Sequence, residues 1–303
     1  INEGKGSFII SGRRTYLDLL LNLSTDPEVN RNDIFFYDIN GKVNYTINNK
    51  NRIFLSSYMG RDVFRIRDEL SLKWGNFISS LRWNHVFNSR VFLNTTLLFS
   101  DFSYGFSLTD NVIGINWDSS LKNYTIKTDF SYYPDPSLEL DFGYSFIWHH
   151  FTPTNITPQE NHSFFQAVNV PKEHALEHGL YGAVRKKVSD RLQVDFGLRF
   201  SIFQNMGPGE YFKYEEGLPK TVDSIIDTVS ASNFEVVNAY YSLEPRLNAR
   251  YLINGSTSLK ISYSRNKQYM HVLTNNNVGF PTDRYKPSNT NLSPQTSDQI
   301  SLG

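Results

Sequence analysis

The sequence feature that most constrains the fold is the strict alternation of apolar and polar residues between Ile34 and Ile47. Odd-numbered positions from Phe35 onward carry apolar or small side chains, and even-numbered positions from Asp38 onward carry polar ones. Successive side chains of a β-strand point to opposite faces, so this segment predicts a strand with one apolar and one polar face. At about 3.3 Å per residue such a strand is over ~40 Å long, whereas globular strands typically have about 5–6 residues.

The same two-faced unit recurs along the chain, and we count about twelve such strands. Short turns are predicted at residues 48–51, 87–90, 133–136, 188–191 and 254–255, where Asn254-Gly255 favours a type I′ hairpin turn. Every other connection is expected to be longer, including 61–69, 109–116, 151–173, 204–237 and 265–293. This alternation of short and long connections is typical of an outer-membrane barrel, with short periplasmic turns and long extracellular loops.

One predicted strand changes phase partway along its length. Its apolar residues are odd-numbered from Val91 to Phe99 and even-numbered from Phe102 to Leu108. Such a change indicates either a β-bulge or a strand that leaves the sheet. We favour a strand that leaves the sheet into a loop.

Composition narrows the class of protein. The 303 residues carry a formal net charge of zero, which gives no support to nucleic-acid binding. Cysteine is absent, which excludes a disulfide framework, a thiolate metal site and a cysteine nucleophile. No segment approaches the ~20 apolar residues of a transmembrane helix, and the helical stretch at 15–23 is too short. The sequence therefore predicts an all-β, transmembrane antiparallel β-barrel, with Lys42, Arg199 and Arg250 facing the lumen because a lipid-facing cation costs ~2–4 kcal/mol.

Several phrases of the sequence occur in the same order in TonB-dependent outer-membrane receptors, which the chain resembles. They are Phe196–Arg199, Glu244–Arg246, Gln268–Leu273 and Pro287–Gly303, the last with Gln295 where the family usually has Glu. His150–Pro153 and Gly12–Asp18 resemble the subgroup that carries an N-terminal carboxypeptidase-regulatory-like domain.

The resemblance implies a barrel of about 22 strands around an N-terminal plug. Residues 1–303 are then expected to form a partial barrel in the cell outer membrane, without the plug, the TonB box and the C-terminal strands. The implied function is energy-coupled uptake of a scarce small ligand: a siderophore, cobalamin, glycan or peptide. The implied partners are outer-membrane lipid and a TonB-type energy-coupling protein that acts through the plug, and a surface lipoprotein is a further partner that the resemblance allows. No enzymatic activity, cofactor or nucleic-acid partner is expected.

Other functions stay open at this point. A passive porin or an adhesin-like barrel would lack energy coupling, and upstream sequence with a plug and a TonB box would separate it from a receptor. An outer-membrane barrel enzyme would need a Ser/His/Asp triad or an acidic dyad at one rim, which the sequence does not assemble. A soluble β-propeller or sandwich would fold without detergent.

Candidate ligand contacts are arginines of the polar faces and aromatic residues of the loops. The candidates are Arg82, Arg199, Arg246, Tyr211, Tyr214 and Tyr269. The tyrosines are expected to be exposed, together with Phe212. The arginines alternate with carboxylates such as Asp195 and Glu244, which favours charge networks on the lumen wall over an acid–base pair.

The histidines and the large aromatic residues have simpler interpretations. His149 and His150 lie near His162, His174 and His178 in sequence, but adjacent strand residues point to opposite faces, so at most one of the first two faces any given site. Polar loop and lumen positions are favoured over a metal or metal-chelate site. The aromatic residues near strand ends predict an interfacial girdle more than sugar-stacking platforms; they are Tyr58, Trp83, Tyr132, Tyr133, Trp148 and Tyr251.

Overall fold

In the part of the chain that the structure describes, thirteen strands form one antiparallel sheet, twelve of them in a continuous path. The structure, a computed structural model, describes residues 4–67, 69–110, 113–159, 166–273 and 284–303, apart from the side chains of Asn169 and Arg284. The elements are, in chain order, β1 (Gly6–Arg14), α1 (Leu17–Leu21), α2 (Pro27–Asn30), β2 (Asp33–Asn48), β3 (Asn51–Ile66), β4 (Leu70–Val86), β5 (Val91–Leu108), β6 (Ile115–Asp135), β7 (Leu138–Pro158), β8 (Val168–Asn169), β9 (Glu173–Lys187), β10 (Leu192–Met206), β11 (Gly209–Tyr214), a 3₁₀ turn (Val222–Ser224), β12 (Ile225–Ala231), β13 (Val236–Leu252), β14 (Ser258–Gln268), β15 (Met270–Leu273), β16 (Arg284–Pro287) and β17 (Gln295–Leu302).

The path of the sheet follows the chain. Its order is β1-β2-β3-β4-β5-β6-β7-β9-β10-β13-β14-β17. β8 lies off this path and pairs with β7, and β11/β12 and β15/β16 form separate two-stranded sheets. The predicted number of about twelve strands is therefore confirmed. Among the described strands, β1 and β17 each have one neighbour and form the two edges of the sheet. Within the described ranges, no helix has the length and apolar character needed to cross a membrane.

The strand β2 has the two faces that its alternating sequence predicts. It pairs with β3 from Asp33 opposite Arg65 to Asn48 opposite Asn51. The Oδ1 atom of Asn48 accepts hydrogen bonds from the Lys50 amide and the Asn51 side chain, both at 2.9 Å, which explains the tight turn between the strands. From Ile39 to Ile47 the apolar side chains of this face are nearly half exposed, as expected of a surface in contact with lipid.

We call the end of the sheet with connections 49–50, 87–90, 136–137, 188–191 and 253–257 the turn end, and the opposite end the loop end. The alternation of short and long connections holds at every position but one. Residues 67–69 alone join β3 to β4 at the loop end, so the expectation of a long connection at 61–69 is wrong. The strand continues through this charged segment, and Arg65 donates across the sheet to Asp33 at 2.9 Å. Residues 151–158, expected to be loop, likewise extend β7.

The connection at Asn254-Gly255 also differs from the prediction. Among the described residues, positive φ values occur at Gly4, Arg67, Gly217 and Phe234, so a type I′ turn at this position is excluded. Instead, the Asn254 carboxamide oxygen accepts from the backbone amides of Ser256 (3.0 Å) and Thr257 (2.9 Å). This Asx-type capping stabilises a longer loop without positive φ.

The connection between β14 and β17 identifies the concave side of the sheet. The Tyr285 ring packs on Phe102 of β5, with ring centroids 5.6 Å apart. The Lys286 ammonium donates to the carboxylate of Glu173 in β9 at 2.9 Å. Several strands lie between β5 and β14, so a segment that reaches across them spans a chord of the curved sheet. The face that carries Phe102 and Glu173 is therefore concave, and the apolar face is convex.

β5 neither bulges nor leaves the sheet. It pairs without a register shift with β4 and β6 along its whole length, so both interpretations of its phase change are wrong. The strand instead exchanges the polarity of its two faces. Near the turn end Leu97 lies on the convex face and is 47% exposed, whereas near the loop end Tyr104 lies on the concave face and is 4% exposed. We call the band of exposed apolar side chains on the convex face the apolar belt; one cross-strand row of it is Val43, Leu55, Leu81, Leu97 and Ile126. The apolar side chains of β5 thus face outward within this belt and inward beyond it.

The convex face carries most of the predicted aromatic girdle. Tyr124 and Trp148 lie side by side on it, with ring centroids 5.4 Å apart, and Trp83, Tyr132 and Tyr251 share this face. Tyr58 and Tyr133 lie on the concave face, where the Tyr133 hydroxyl donates to Glu139, so the girdle prediction is wrong for these two residues. The predicted lumen-facing cations Lys42, Arg199 and Arg250 are all on the concave face.

Candidate functional site

A connected set of polar and aromatic side chains occupies the concave face of β6, β7, β9, β10 and β13. We call it the inner-wall network; its members are Asn123, His149, Glu177, Arg199, Ser201, Phe203, Glu244 and Tyr269. The strand alternation places Arg199, Ser201 and Phe203 on one face of β10. The antiparallel register then sets Glu244 beside Arg199 and Glu177 beside Phe203. All members except Tyr269 come from regular strands, which fixes their spacing.

Arg199 lies between two carboxylates. Its Nη2 atom donates to Glu177 Oε1 at 3.0 Å, and its Nε atom lies 3.9 Å from Glu244 Oε1. The second oxygen of Glu177 is 3.6 Å from His149 Nε2, and the other ring nitrogen of His149 contacts Asn123 at 2.8 Å. The Glu244 side chain is only 6% exposed. Arg199 thus bridges the two glutamates across three neighbouring strands.

Tyr269 joins the network from the connection that follows β14. The Ser201 hydroxyl donates to Glu244 Oε1 at 2.6 Å, so it accepts a hydrogen bond from the Tyr269 hydroxyl at 2.7 Å. The Tyr269 ring stacks on Phe203 with centroids 4.7 Å apart and planes inclined by 3°. Burial raises the pKa of the Tyr269 phenol, which keeps it a donor. The segment after β14 is thereby held to the wall by both stacking and hydrogen bonding.

Further contacts hold the rest of this segment to the concave face. The Asn205 carboxamide donates to the Ser288 carbonyl at 2.6 Å, and the Tyr240 hydroxyl donates to the Asn289 carbonyl at 2.7 Å. His271 Nε2 lies 2.7 Å from the Ser288 hydroxyl in a buried position, and burial lowers the pKa of this imidazole. We call residues 269–273 and 284–289 the docked segment. It covers the loop end of the concave face over β10 and β13.

The structure brings two of the six predicted contact residues together. Arg199 and Tyr269 meet through Ser201 and Glu244. Arg246 lies on the same face but donates to Asn266 Oδ1 at 3.0 Å. Arg82 lies on the concave face of β4, with its guanidinium carbon 5.7 Å from the centre of the Phe54 ring. These two arginines are separate from the inner-wall network.

The loop tyrosines are less exposed than predicted. Tyr269 is 5% exposed, so its prediction as an exposed aromatic residue is wrong; its contacts with β10 exclude it from solvent. Tyr211 and Tyr214 lie in β11 and are half-buried. The Tyr211 hydroxyl donates to the Met206 carbonyl at 3.2 Å, and burial together with the charge of Glu173 raises its pKa. Phe212, at 39% exposure, is the exposed aromatic residue of this hairpin strand.

The histidines divide between the two faces, as the alternation of strand residues predicts. His149 faces the concave side, whereas His150 and His174 form an edge-to-face pair on the convex side with ring centroids 4.4 Å apart. His178 also lies on the convex side, where its Nδ1 atom is 2.6 Å from the Tyr144 hydroxyl. His162 lies outside the described residues. Within the described part of the chain, no group of three or more His, Asp or Glu side chains has a metal-binding arrangement.

Sequence reasoning missed several members of the network. Ser201 and Phe203 continue the polar face of Arg199 at every second residue, so the alternation itself could have identified them. Glu177 could have been identified in the same way on its own strand. His271 and Ser288 carry no comparable signal, because their burial depends on a contact between distant parts of the chain.

The chemistry of the network is structural and electrostatic. Glu177 and Glu244 each contact Arg199, and the serine hydroxyl is already engaged at both its donor and acceptor positions. The arrangement therefore fixes the docked segment against the wall.

Both a family model and solved structures resemble this chain along most of its length. The family model described as "TonB dependent receptor-like, beta-barrel" matches residues 6–303. Among solved structures, a double mutant of the Serratia marcescens hemophore receptor HasR in complex with its hemophore HasA and heme is 12% identical, with a TM-score of 0.62, and the match covers 98% of this chain and 46% of that one. The ferric-catecholate import receptor Fiu from E. coli K12 in its closed form is 11% identical, with a TM-score of 0.62 and coverage of 98% and 51%.

A third solved structure, of the copper transporter OprC, is 10% identical, with a TM-score of 0.59 and coverage of 87% of this chain and 42% of that one. The present chain thus spans about half the length of the solved structures that it matches. At this identity the likeness shows the fold alone. No curated protein matches the chain by sequence.

Proposed function

We propose, since this chain belongs to the TonB-dependent receptor-like β-barrel family, that it forms part of the wall of an outer-membrane receptor that imports a scarce ligand. In this proposal the turn end lies at the periplasm and the loop end faces the exterior, in keeping with the short and long connections of such barrels. A plug inside the complete barrel and a TonB-type partner supply the energy coupling. The convex apolar belt contacts lipid.

The observation that carries the proposal is the docked segment. It crosses the concave face near the loop end and is held by the Tyr269–Ser201–Glu244 hydrogen bonds and by the stacking of Tyr269 on Phe203. A ligand that enters from the exterior meets this segment before it reaches the lumen. Buried polar groups are costly unless they are all paired, so the paired contacts of Tyr269 and Ser201 hold the segment at one place on the face.

The ligand contacts predicted from the sequence remain predictions. We rank them by whether each side chain already has a partner within the chain. Arg199 and Tyr269 are occupied by partners within the chain, which favours a role in positioning the docked segment. Arg246 keeps an exposed guanidinium with a single amide partner, and Phe212 is exposed on its hairpin. We assign ligand contact to Arg246 first. An exposed Phe212 is the feature that favours a surface lipoprotein partner.

The ligand itself is proposed only as a class: a small, scarce molecule such as an iron chelate, heme, cobalamin, a glycan or a peptide. The charged and aromatic concave face is suited to polar ligands of this kind. The three solved structures compared above are named for ferric-catecholate import, copper transport and hemophore-bound heme, which places metal-containing molecules first among the probes.

Transport by the complete receptor tests the proposal. Uptake of radiolabelled ferric siderophores, heme and cobalamin, and of fluorescent oligosaccharides and peptides, would be compared in wild-type cells, in cells lacking the receptor gene, and in cells lacking the energy-coupling protein. We expect one probe whose uptake needs both proteins. Uptake that needs the receptor but persists without energy coupling would instead identify a passive porin. If no probe enters in a receptor-dependent way while the cells adhere to a surface through the protein, the adhesin-like alternative holds.

A further inference from the structure

On strands β3 to β7 the convex face changes from apolar to polar and charged residues at one level of the wall. On β5, β6 and β7 the apolar belt ends in the cross-strand row Phe99, Tyr124 and Trp148. The next outward row, toward the loop end, is Asp101, Lys122 and His150. On β3 the change falls between Met59 and Arg61, and on β4 polar positions follow Phe77 in the same direction. Charged groups therefore begin directly beyond the aromatic edge of the belt.

Two adjoining cavities open on this charged part of the convex face. One has a volume of about 400 Å³ and the other about 230 Å³, and both are lined by Lys73, Gly105 and Asp118. Gly105 makes the space, because a Cβ atom at this position would lie 2.9 Å from Asp118 Oδ1. Gly75 has the same effect beside Arg61, whose stem lies 3.5 Å from where a Cβ atom would be.

The lining of these cavities combines free cations with hydroxyl and amide groups. Among the described residues, no ion pair or hydrogen bond uses the guanidinium of Arg61 or the ammonium of Lys73, whereas Arg65 is paired with Asp33 at 2.9 Å. The uncharged polar lining consists of Ser71, Ser103, Ser107, Asn116, Ser120, Thr152, Asn155 and Thr157. Cations recognise phosphate, and hydroxyl, amide and carboxylate groups recognise the hydroxyls of a sugar.

We propose that this surface binds the headgroup of a phosphorylated glycolipid of the outer leaflet, with phosphate at Arg61 and Lys73 and sugar in the cavities. The position selects a lipid over a soluble phosphate. Beside the cavities the belt residues Met59, Phe77 and Phe99 offer an apolar surface along which acyl chains lie, and basic residues at the membrane surface attract anionic headgroups. The inference rests on the membrane placement proposed above and is independent of the imported ligand.

Binding to the purified full-length receptor in detergent tests this inference. The probes are bisphosphorylated lipid A, its dephosphorylated form and inorganic pyrophosphate, each measured by native mass spectrometry and by thermal shift. The test variant is the double substitution Arg61→Gln/Lys73→Gln, and the matched control is Lys42→Gln, which removes a cation from the concave face. We expect the double variant to lose about tenfold in affinity for bisphosphorylated lipid A, and the control to retain it.

A second variant separates site geometry from general charge. Gly105→Ala reduces the cavity volume without changing any charge, and we expect it to weaken binding of both forms of lipid A. Equal affinity of wild type and the double variant for bisphosphorylated lipid A would overturn the inference, as would binding of pyrophosphate as tight as that of the lipid. Receptor-dependent uptake that is normal in the double variant leaves the transport proposal intact, so the two proposals fail separately.

Discussion

The strongest prediction concerns the attachment of the docked segment to the wall through Tyr269. In Tyr269→Phe the hydroxyl is lost, but Ser201 still donates to Glu244 at 2.6 Å, so no buried group is left unpaired. We expect undocking to become easier by about 1 kcal/mol, or about fivefold, the ordinary net contribution of one hydrogen bond. In Tyr269→Ala the ring that stacks on Phe203 at 4.7 Å is also lost. Removal of a buried aromatic ring costs about 3 kcal/mol, or about 150-fold in the same equilibrium.

Hydrogen exchange of the backbone amides measures this equilibrium directly. The reporter is the amide of Ser288, a fully buried residue that donates to the Tyr269 carbonyl at 2.7 Å within the docked segment. The wall covers this residue, where Asn205 donates to the Ser288 carbonyl at 2.6 Å, so release of the segment exposes the amide to solvent. Its exchange rate in the full-length receptor should rise in the order wild type, Tyr269→Phe, Tyr269→Ala. Exchange within β10 and β13 should stay slow, because the strand ladder does not depend on the segment.

A tyrosine on the opposite face of the wall provides the matched control. Tyr241→Ala removes a tyrosine that lies on the convex face and is 65% exposed, so exchange at Ser288 should not change. If Tyr269→Ala exchanges at the wild-type rate, Tyr269 does not anchor the segment. Equal effects of the Phe and Ala variants would assign the whole interaction to the hydrogen bond and contradict the role of stacking.

Single substitutions at three other positions test the pH dependence of docking, the packing of the wall and the polarity of its two faces. Burial lowers the pKa of His271, so protonation of this imidazole favours the undocked state. Docking should therefore be complete above the ordinary histidine pKa of about 6.5 and weaken as the pH falls below it. Hydrogen exchange at pH 5 and pH 7.5 measures this dependence, which His271→Gln should remove. Gly143→Ala places a methyl group against a backbone carbonyl and a tyrosine ring and should destabilise the barrel by about 1–3 kcal/mol in thermal unfolding, whereas Gly182→Ala, with open space around it, should not. Leu97→Lys places a charge on the convex belt and should cost ~2–4 kcal/mol in folding into lipid vesicles, and Thr96→Lys on the concave face should cost much less.

The strands of the wall were predictable from the sequence because their alternation depends on residues that are neighbours in the chain. A period of two residues between Ile34 and Ile47 fixes both the strand and its two faces, and the turn after it is held by the nearby side chains of Asn48 and Asn51. The strand ends were not predictable in the same way. Charged residues at 61–66 favour a loop by composition, yet pairing with β2 and β4 keeps them in the sheet. Cross-strand partners such as Asp33 for Arg65 decide such ends, and they lie far away in sequence.

The candidate site was predictable only on its wall side. The alternation placed Arg199 and Glu244 on the polar face, and their neighbours could have been identified from the same pattern. The burial of Tyr269 was not predictable, because it depends on the return of a long connection onto β10, and a tyrosine in a polar loop is usually exposed. A pattern reports the face of a strand, whereas a docked connection depends on shape and on partners distant in sequence.

The change of polarity between the two faces of β5 affects both the docked segment and the convex surface. Within the belt the convex side needs apolar residues such as Leu97, but beyond the belt the convex positions of β5 are polar or small, and the large apolar residues of this strand lie on the concave side. Phe102 accordingly turns inward and packs on Tyr285 of the docked segment, while Gly105 on the opposite face leaves room for the cavity beside Lys73. One change of phase in the sequence thus creates the inner contact that holds the segment and the outer surface that we assign to glycolipid. The substitution Phe102→Ser should therefore speed hydrogen exchange in the docked segment without altering the affinity for lipid A. The contact with Tyr285 and the cavity beside Lys73 share strand β5 but lie on its opposite faces.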